Sequence, residues 1–262
     1  MLTFTHTYLL NLLYKTIHNQ NIPPSKGELI LGNIIPDFIT HLGREQYQAL
    51  AHNLNLFLCQ PQLQPLEWGA VFHILCDNYS TVGKLSFEGD YDDLPRNGFI
   101  ETLAQQVTFT IPLNMPKRRI LQCAFDIFVI RQEKQLLMNL LRAAESYLRQ
   151  NYRTIIHHIS SIYSIKPRQL QVGLARFSKV YGKDFIELAV LEEYRLFPLI
   201  RNLLNLNTLT EPQKILDEIQ THSELMGLIE SNIGIVEHNW HELLEATVGE
   251  VIKFPGIVAA FT

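Results

Sequence analysis

The sequence predicts an all-α fold, a single multi-helix domain over residues 1–262 with a central buried helix around residues 65–78. Three observations carry that prediction. Apolar residues recur at helical spacing along most of the chain, as in Tyr8, Leu9, Leu12, Leu13 and Ile17. Two segments, Trp68 to Cys76 and Ile120 to Ile130, are apolar almost all the way round, the mark of a helix enclosed by other helices. Strand signals are limited to a short run near Val107 to Ile111, and no repeat or low-complexity linker divides the chain.

In chain order, residues 5–18 form a first amphipathic helix, with Thr5 or Thr7 available to cap it and His6 at its mouth. A Ser25-x-x-Glu28 capping box after Pro23-Pro24 starts a second helix that runs through Ile35, where Pro36 should end or kink it. Asp37 follows, embedded among Ile34, Ile35, Phe38 and Ile39, with His41 four residues on. Residues 44–59 make a third helix carrying His52 and stopped by Gln60-Pro61, and residues 65–80 make the central one. Val82 to Asn97 reads as an exposed loop, in which Glu88, Asp90, Asp92 and Asp93 lack the spacing of a calcium loop. Helices are expected over 98–110, from Asn114 and Pro116 through Ile130, over 133–163, and over 166–181 and 183–205, with Gly182 between the last two. A second capping box at Thr210 to Gln213 opens a helical region to Lys253, with an interruption expected near Gly234.

Bulk properties exclude several classes. With 47% hydrophobic and 18% charged residues the chain has the composition of a folded domain with a substantial core. A balance of 22 basic to 26 acidic residues, net charge −4, gives no electrostatic footprint for nucleic acid, and Lys117-Arg118-Arg119 reads as a solvated first helical turn. Cys59, Cys76 and Cys123 lie within apolar helical patterns and read as buried small side chains of a reducing compartment. No basic leader precedes Tyr8 to Tyr14, and no run reaches the roughly 18 apolar residues of a bilayer span. A cytoplasmic protein without a membrane span is expected.

The chemistry rests on His73 and Asp77, one turn apart on a helix apolar on every side. Burying an imidazole and a carboxylate costs several kcal/mol, roughly, unless they are paired or bind a metal. Asp37 and Asp126 also interrupt strongly apolar segments, and three such acids point to a shared polar centre. The chain has no Gly-x-Ser-x-Gly elbow, Gly-rich phosphate loop, Cys-x-x-Cys pair or His-Glu-x-x-His, which leaves histidine with carboxylate. A divalent metal takes that donor set from inward-facing helical positions. The candidates are His6, Asp37, His73, Asp77, His238 and Glu242, with His41, Asp126, His241 and Glu245 in second rank. Against this stands a plain reading, a hydrogen-bonded buried couple at His73 and Asp77 and a solvated face on the late helix. His18, His52, His157, His158 and His222 read as surface or packing residues.

Three stretches carry a resemblance: Thr-Phe-Thr-His-Thr-Tyr-Leu-Leu from Thr3, Leu-Gly-Asn-Ile-Ile-Pro-Asp-Phe from Leu31, and Gly-Ala-Val-Phe-His-Ile-Leu-Cys-Asp from Gly69. They resemble the zinc-dependent phospholipase C-like hydrolases, an all-helical family with metal ions held between helices. The resemblance implies His6, Asp37, His73, Asp77, His238 and Glu242 as ligands of a divalent metal, zinc first. The implied activity is hydrolysis of a phosphoester, a phosphodiester or phospholipid-like molecule, through a metal-activated water. The chain is also similar to the acyl-carrier-protein phosphodiesterases, relatives of the HD-type hydrolases, in His6, Gly-Asn-x-x-x-Asp ending at Asp37, His73-x-x-x-Asp77, Asp126, and a closing segment from His241 to Phe254-Pro255. The partner would then be a small-molecule or lipid phosphoester, or acyl carrier protein. The alternative is a non-catalytic helical protein that keeps a polar core as a hydrogen-bonded network or a binding site.

Overall fold

The computed structural model describes residues 3–40, 42, 45–84, 98–106, 117–172, 174 and 223–261. His41, His222, the acids Glu88 to Asp93, the strand-like run 107–111, the Asn114–Pro116 cap, most of the segment expected as two helices over 166–205, and the Thr210 capping box lie outside the described residues. Among the described residues every regular element is helical: α1 (Thr3–His18), α2 (Gly27–Thr40), α3 (Glu45–Ala51), α4 (Asn55–Leu58), α5 (Pro65–Asp77), α6 (Phe99–Gln106), α7 (Lys117–Tyr163), α8 (Ser223–Val251) and α9 (Ile257–Phe261). No helix among them is long and apolar enough to cross a membrane.

As its composition requires, α5 is enclosed, with Leu66, Glu67 and every residue from Gly69 to Asp77 buried. Pro65 occupies its first turn, and a capping box closes its start, Gln64 N–H donating to Glu67 Oε2 at 2.5 Å. The second Glu67 oxygen lies 3.2 Å from Nε2 of His158, which ties α5 to α7. At its far end α5 passes into a single π-type turn, Asn78–Val82, stopped by Gly83 in the left-handed conformation at φ 79°.

The helix packed most closely on α5 is α2, and glycines make that approach. A Cβ added at Gly32 would collide with the Leu66 carbonyl oxygen, and one at Gly69 with the Leu29 carbonyl oxygen. Backbone therefore meets backbone at this crossing, and the side chain of His73, one turn along α5 from Gly69, reaches the α2 main chain at Asn33. Of the two outcomes expected at Pro36, an end or a kink, the end does not occur: α2 runs on to Thr40 with the proline inside it. Proline removes one main-chain hydrogen bond, and in α2 all but Glu28, Asp37 and Thr40 of its residues are buried, so packing holds the helix together across that gap.

Other boundaries also moved. Thr5 does not cap α1 but sits in its first turn, where its N–H and hydroxyl both donate to Asp126 Oδ1 at 2.8 and 2.6 Å. The expected helix over 44–59 is two pieces, α3 and α4, because Asn53 Oδ1 accepts the Asn55 N–H at 3.0 Å and turns the chain between them. Cys59, expected inside, is exposed after α4, while Cys76 is buried. Gly234 does not interrupt α8, since the buried stripe of Ile233, Val236, Trp240, Leu244, Val248 and Val251 outweighs the roughly 1 kcal/mol cost of one helical glycine. Trp240 seats that stripe, its ring centroid 5.0 Å from Phe128 on α7 and 5.7 Å from Tyr8 on α1.

Candidate metal centre

Three helices and one turn bring five polar side chains to one buried place. His6 is in the first turn of α1, Asp37 on α2, His73 and Asp77 on α5, and His52 in the break between α3 and α4. His6 and His73 are wholly buried, with ring centroids 3.8 Å apart. Asp77 is the hub: His6 Nε2 stands 3.1 Å from its Oδ1, and His52 Nε2 and His73 Nε2 stand 3.0 and 3.5 Å from its Oδ2. Asp37 Oδ1 faces His73 Nε2 from the other side at 3.9 Å.

The orientation of His73 follows from the α2–α5 crossing. Its Nδ1 lies 2.8 Å from the main-chain oxygen of Asn33, and a carbonyl oxygen only accepts. In the neutral ring Nδ1 therefore carries the proton and Nε2 turns its lone pair toward the two carboxylates. An imidazole so held by a main-chain carbonyl has the arrangement of a metal ligand. His73 Nε2 and both ring nitrogens of His6 are buried without a hydrogen bond of good geometry, despite the closeness of the carboxylates.

Electrostatics agree. Burial, and then the neighbouring His73 ring, bring His6 down to about 4, so it is neutral at pH 7 and offers a lone pair. Burial alone would raise Asp77, but the amino-terminal charge and the contacts with His6 and His52 outweigh it and hold the carboxyl well below its usual range. The centre thus combines imidazole nitrogens with carboxylate oxygens, a donor set that suits a borderline divalent cation.

Two overlapping sets, His6 with Asp37 and His73, and His52 with His73 and Asp77, have donor atoms within 4.8 Å of one another. Donors around an ion with bonds of about 2.0–2.2 Å stand about 3.3–3.6 Å apart in a tetrahedron. Within the two sets His73 Nε2 stands 3.9 Å from Asp37 Oδ1 and 3.5 Å from Asp77 Oδ2, and His52 Nε2 3.0 Å from Asp77 Oδ2, close to that spacing, and the donor set is one that a divalent ion accepts.

Of the residues singled out from sequence, His6, Asp37, His73 and Asp77 come together. His238, His241, Glu242 and Glu245 do not join either set; all four are exposed on α8, and His238 Nδ1 turns back to the Gly234 carbonyl of its own helix at 3.1 Å. Asp126 is wholly buried beside the start of α1, where it fixes Thr5 and hence the turn that carries His6. His52, expected as a surface or packing residue, is instead part of the cluster. Its one sequence signal is the Asn-Leu-Asn that follows it, which breaks the helix and frees the ring to turn inward. Of the remaining histidines, His157 is exposed, His158 pairs with Glu67, and His18 Nε2 donates to the Phe261 carbonyl at 2.6 Å, docking α9.

Comparison of the chain with family models, with curated proteins and with solved structures finds no match.

Proposed function

We propose that this chain is a metal-dependent hydrolase of phosphoesters, acting on a phosphodiester or a phospholipid-like molecule. The observation that carries the metal is the convergence of His6, Asp37, His52, His73 and Asp77, with His73 Nε2 aimed at two carboxylates by the Asn33 carbonyl behind its ring. The phosphoester rests on the motif resemblance, which marks four of these five residues. Imidazole with carboxylate suits zinc first among borderline divalent ions. A divalent ion in such a place supplies Lewis acidity, lowering the pKa of a water and neutralising phosphoryl oxygens.

The chain's own residues have distinct tasks in this reading. Asp77, touched by three imidazoles, is the central ligand, and His73 is the one whose lone pair is fixed in direction. His6 is held neutral by burial, and Asp126 positions it through the first turn of α1. His52, Asp37 and Asp77 have side chains 14%, 18% and 12% exposed, whereas His6 and His73 have none, so solvent reaches the centre from the carboxylates and His52.

The test is metal analysis of protein purified without chelator, together with hydrolysis of a chromogenic phosphodiester by wild type and His73→Ala. About one or more equivalents of metal and a loss of most activity in the variant are expected. Metal-free wild type, or a variant as active as wild type, would sink the reading.

A further inference from the structure

Eight buried side-chain nitrogen and oxygen atoms among the described residues lack a hydrogen-bond partner, and five of them belong to three residues: His6 Nδ1 and Nε2, His73 Nε2, and Asn33 Nδ2 and Oδ1. Buried polar groups are nearly always satisfied, so a concentration of orphans marks a place completed by something outside the chain. A metal in the proposed centre would take one nitrogen of His6 and Nε2 of His73. Asn33 is the residue of the three for which a metal accounts for neither orphaned atom.

Asn33 is wholly buried, and its main-chain oxygen takes the proton of His73 Nδ1, so it lies directly behind a ligand of the proposed centre. It also precedes Asp37 by one helical turn on the same face of α2. Burying an amide with both ends unmade is costly, and a leucine of similar size would fill the position without that cost. The five metal-facing side chains need no further ligand, and they present mainly lone pairs. Carboxylates cannot donate, and the His73 N–H is already given to Asn33 itself. The side-chain N–H groups of Asn33 are donors that no protein group takes.

We infer that Asn33 is a substrate-binding residue, its amide N–H donating to an oxygen of a tetrahedral oxyanion held at the metal. The inference rests on the metal reading above and adds to it the group that recognises the phosphoryl oxygens. Inorganic phosphate is the probe.

The experiment uses the metal-loaded full chain, with metal content measured by mass spectrometry and phosphate affinity by calorimetry, for wild type, Asn33→Leu and Asn33→Asp. Wild type is expected to bind phosphate in a metal-dependent way. Asn33→Leu should keep the metal stoichiometry and bind phosphate roughly tenfold or more weakly, the effect of losing one hydrogen bond to a charged group. Asn33→Asp preserves volume if leucine does not fold, and it should weaken phosphate further by placing a carboxylate where the donor was. Wild-type phosphate affinity in the folded variants would overturn the inference and leave the metal reading intact. Loss of metal in Asn33→Leu would also overturn it, since Asn33 would then be a ligand. Wild type that holds metal but not phosphate overturns the oxyanion alone, whereas wild type without metal overturns both readings.

Discussion

Two helices of this protein carry histidine with a carboxylate four residues later, and the two pairs have opposite fates. On α5, His73 and Asp77 are buried and gather His6, His52 and Asp37 around them. On α8, His238 and Glu242, like His241 and Glu245, are exposed. Spacing is the same in both, so spacing cannot be what makes a site. What differs is the rest of the helix. From Trp68 to Cys76 every α5 position other than His73 is apolar or glycine, which forces both polar residues inward. The apolar residues of α8 form one stripe through Trp240, and a helix seated on one stripe turns the intervening residues to solvent.

The sharpest way to break the comparison is to remove the hub. Asp77→Ala removes the carboxylate that faces the rings of His6, His52 and His73, and each buried polar group left without its partner costs about 1–3 kcal/mol. A loss of that order in denaturant unfolding is expected, together with loss of bound metal. A variant as stable as wild type would mean that Asp77 is no more integral than Glu242.

The next largest effect is a dependence on pH. In metal-free protein His6 is depressed to about 4 from an ordinary 6.5, so between those values the unfolded chain binds a proton that the folded one does not. Stability is therefore fully present above pH 6.5 and falls as pH drops toward 4. That interval, at about 1.4 kcal/mol per pH unit, amounts to about 3–4 kcal/mol. Asp77, depressed below its ordinary value, adds a further loss at still lower pH. His6→Phe should flatten the decline between pH 6.5 and 4, as followed by denaturant midpoints; an unchanged slope would show that His6 is not the group responsible.

Much of this was legible in the sequence, and the limits have physical causes. Helical periodicity and two all-apolar segments were enough for the all-α class, because they report burial directly. Asp37, His73 and Asp77 were legible as charged residues that an apolar neighbourhood could not leave unpaired. His52 was not, since its neighbourhood is ordinary and its role depends on a tertiary bend set by Asn53 and Asn55. Asp126 was legible as buried but not as the anchor of α1, because a lone buried acid has the same pattern whether it meets a metal or a main-chain N–H. Nor did Gly32 and Gly69 announce the close crossing that lets His73 reach the Asn33 carbonyl.

His52 offers a smaller test. It lies on an irregular segment and its side chain is partly exposed, so His52→Ala should fold with little loss of stability. Metal affinity should nevertheless fall by at least about tenfold, since even groups that only orient a ligand contribute that much. Titration with zinc against a competing chelator measures it, and unchanged affinity would return His52 to the packing role its sequence suggested.

The smallest expected effect is on α8, and it decides whether burial or motif defines the site. The resemblance that marks His6, Asp37, His73 and Asp77 marks His238 and Glu242 with the same authority, so sequence alone ranks them equally. Their exposure ranks them last. Glu242→Ala removes a solvated carboxylate with no part in either donor set, and exposed substitutions of this kind stay within about 0.5 kcal/mol. Metal content and phosphodiester hydrolysis should match wild type in Glu242→Ala and in the double variant with His238→Ala. If either variant lost its metal, the late motif would belong to the centre despite its exposure on α8, and the enclosure of α5 would no longer explain why His73 and Asp77 are the pair that gathers ligands.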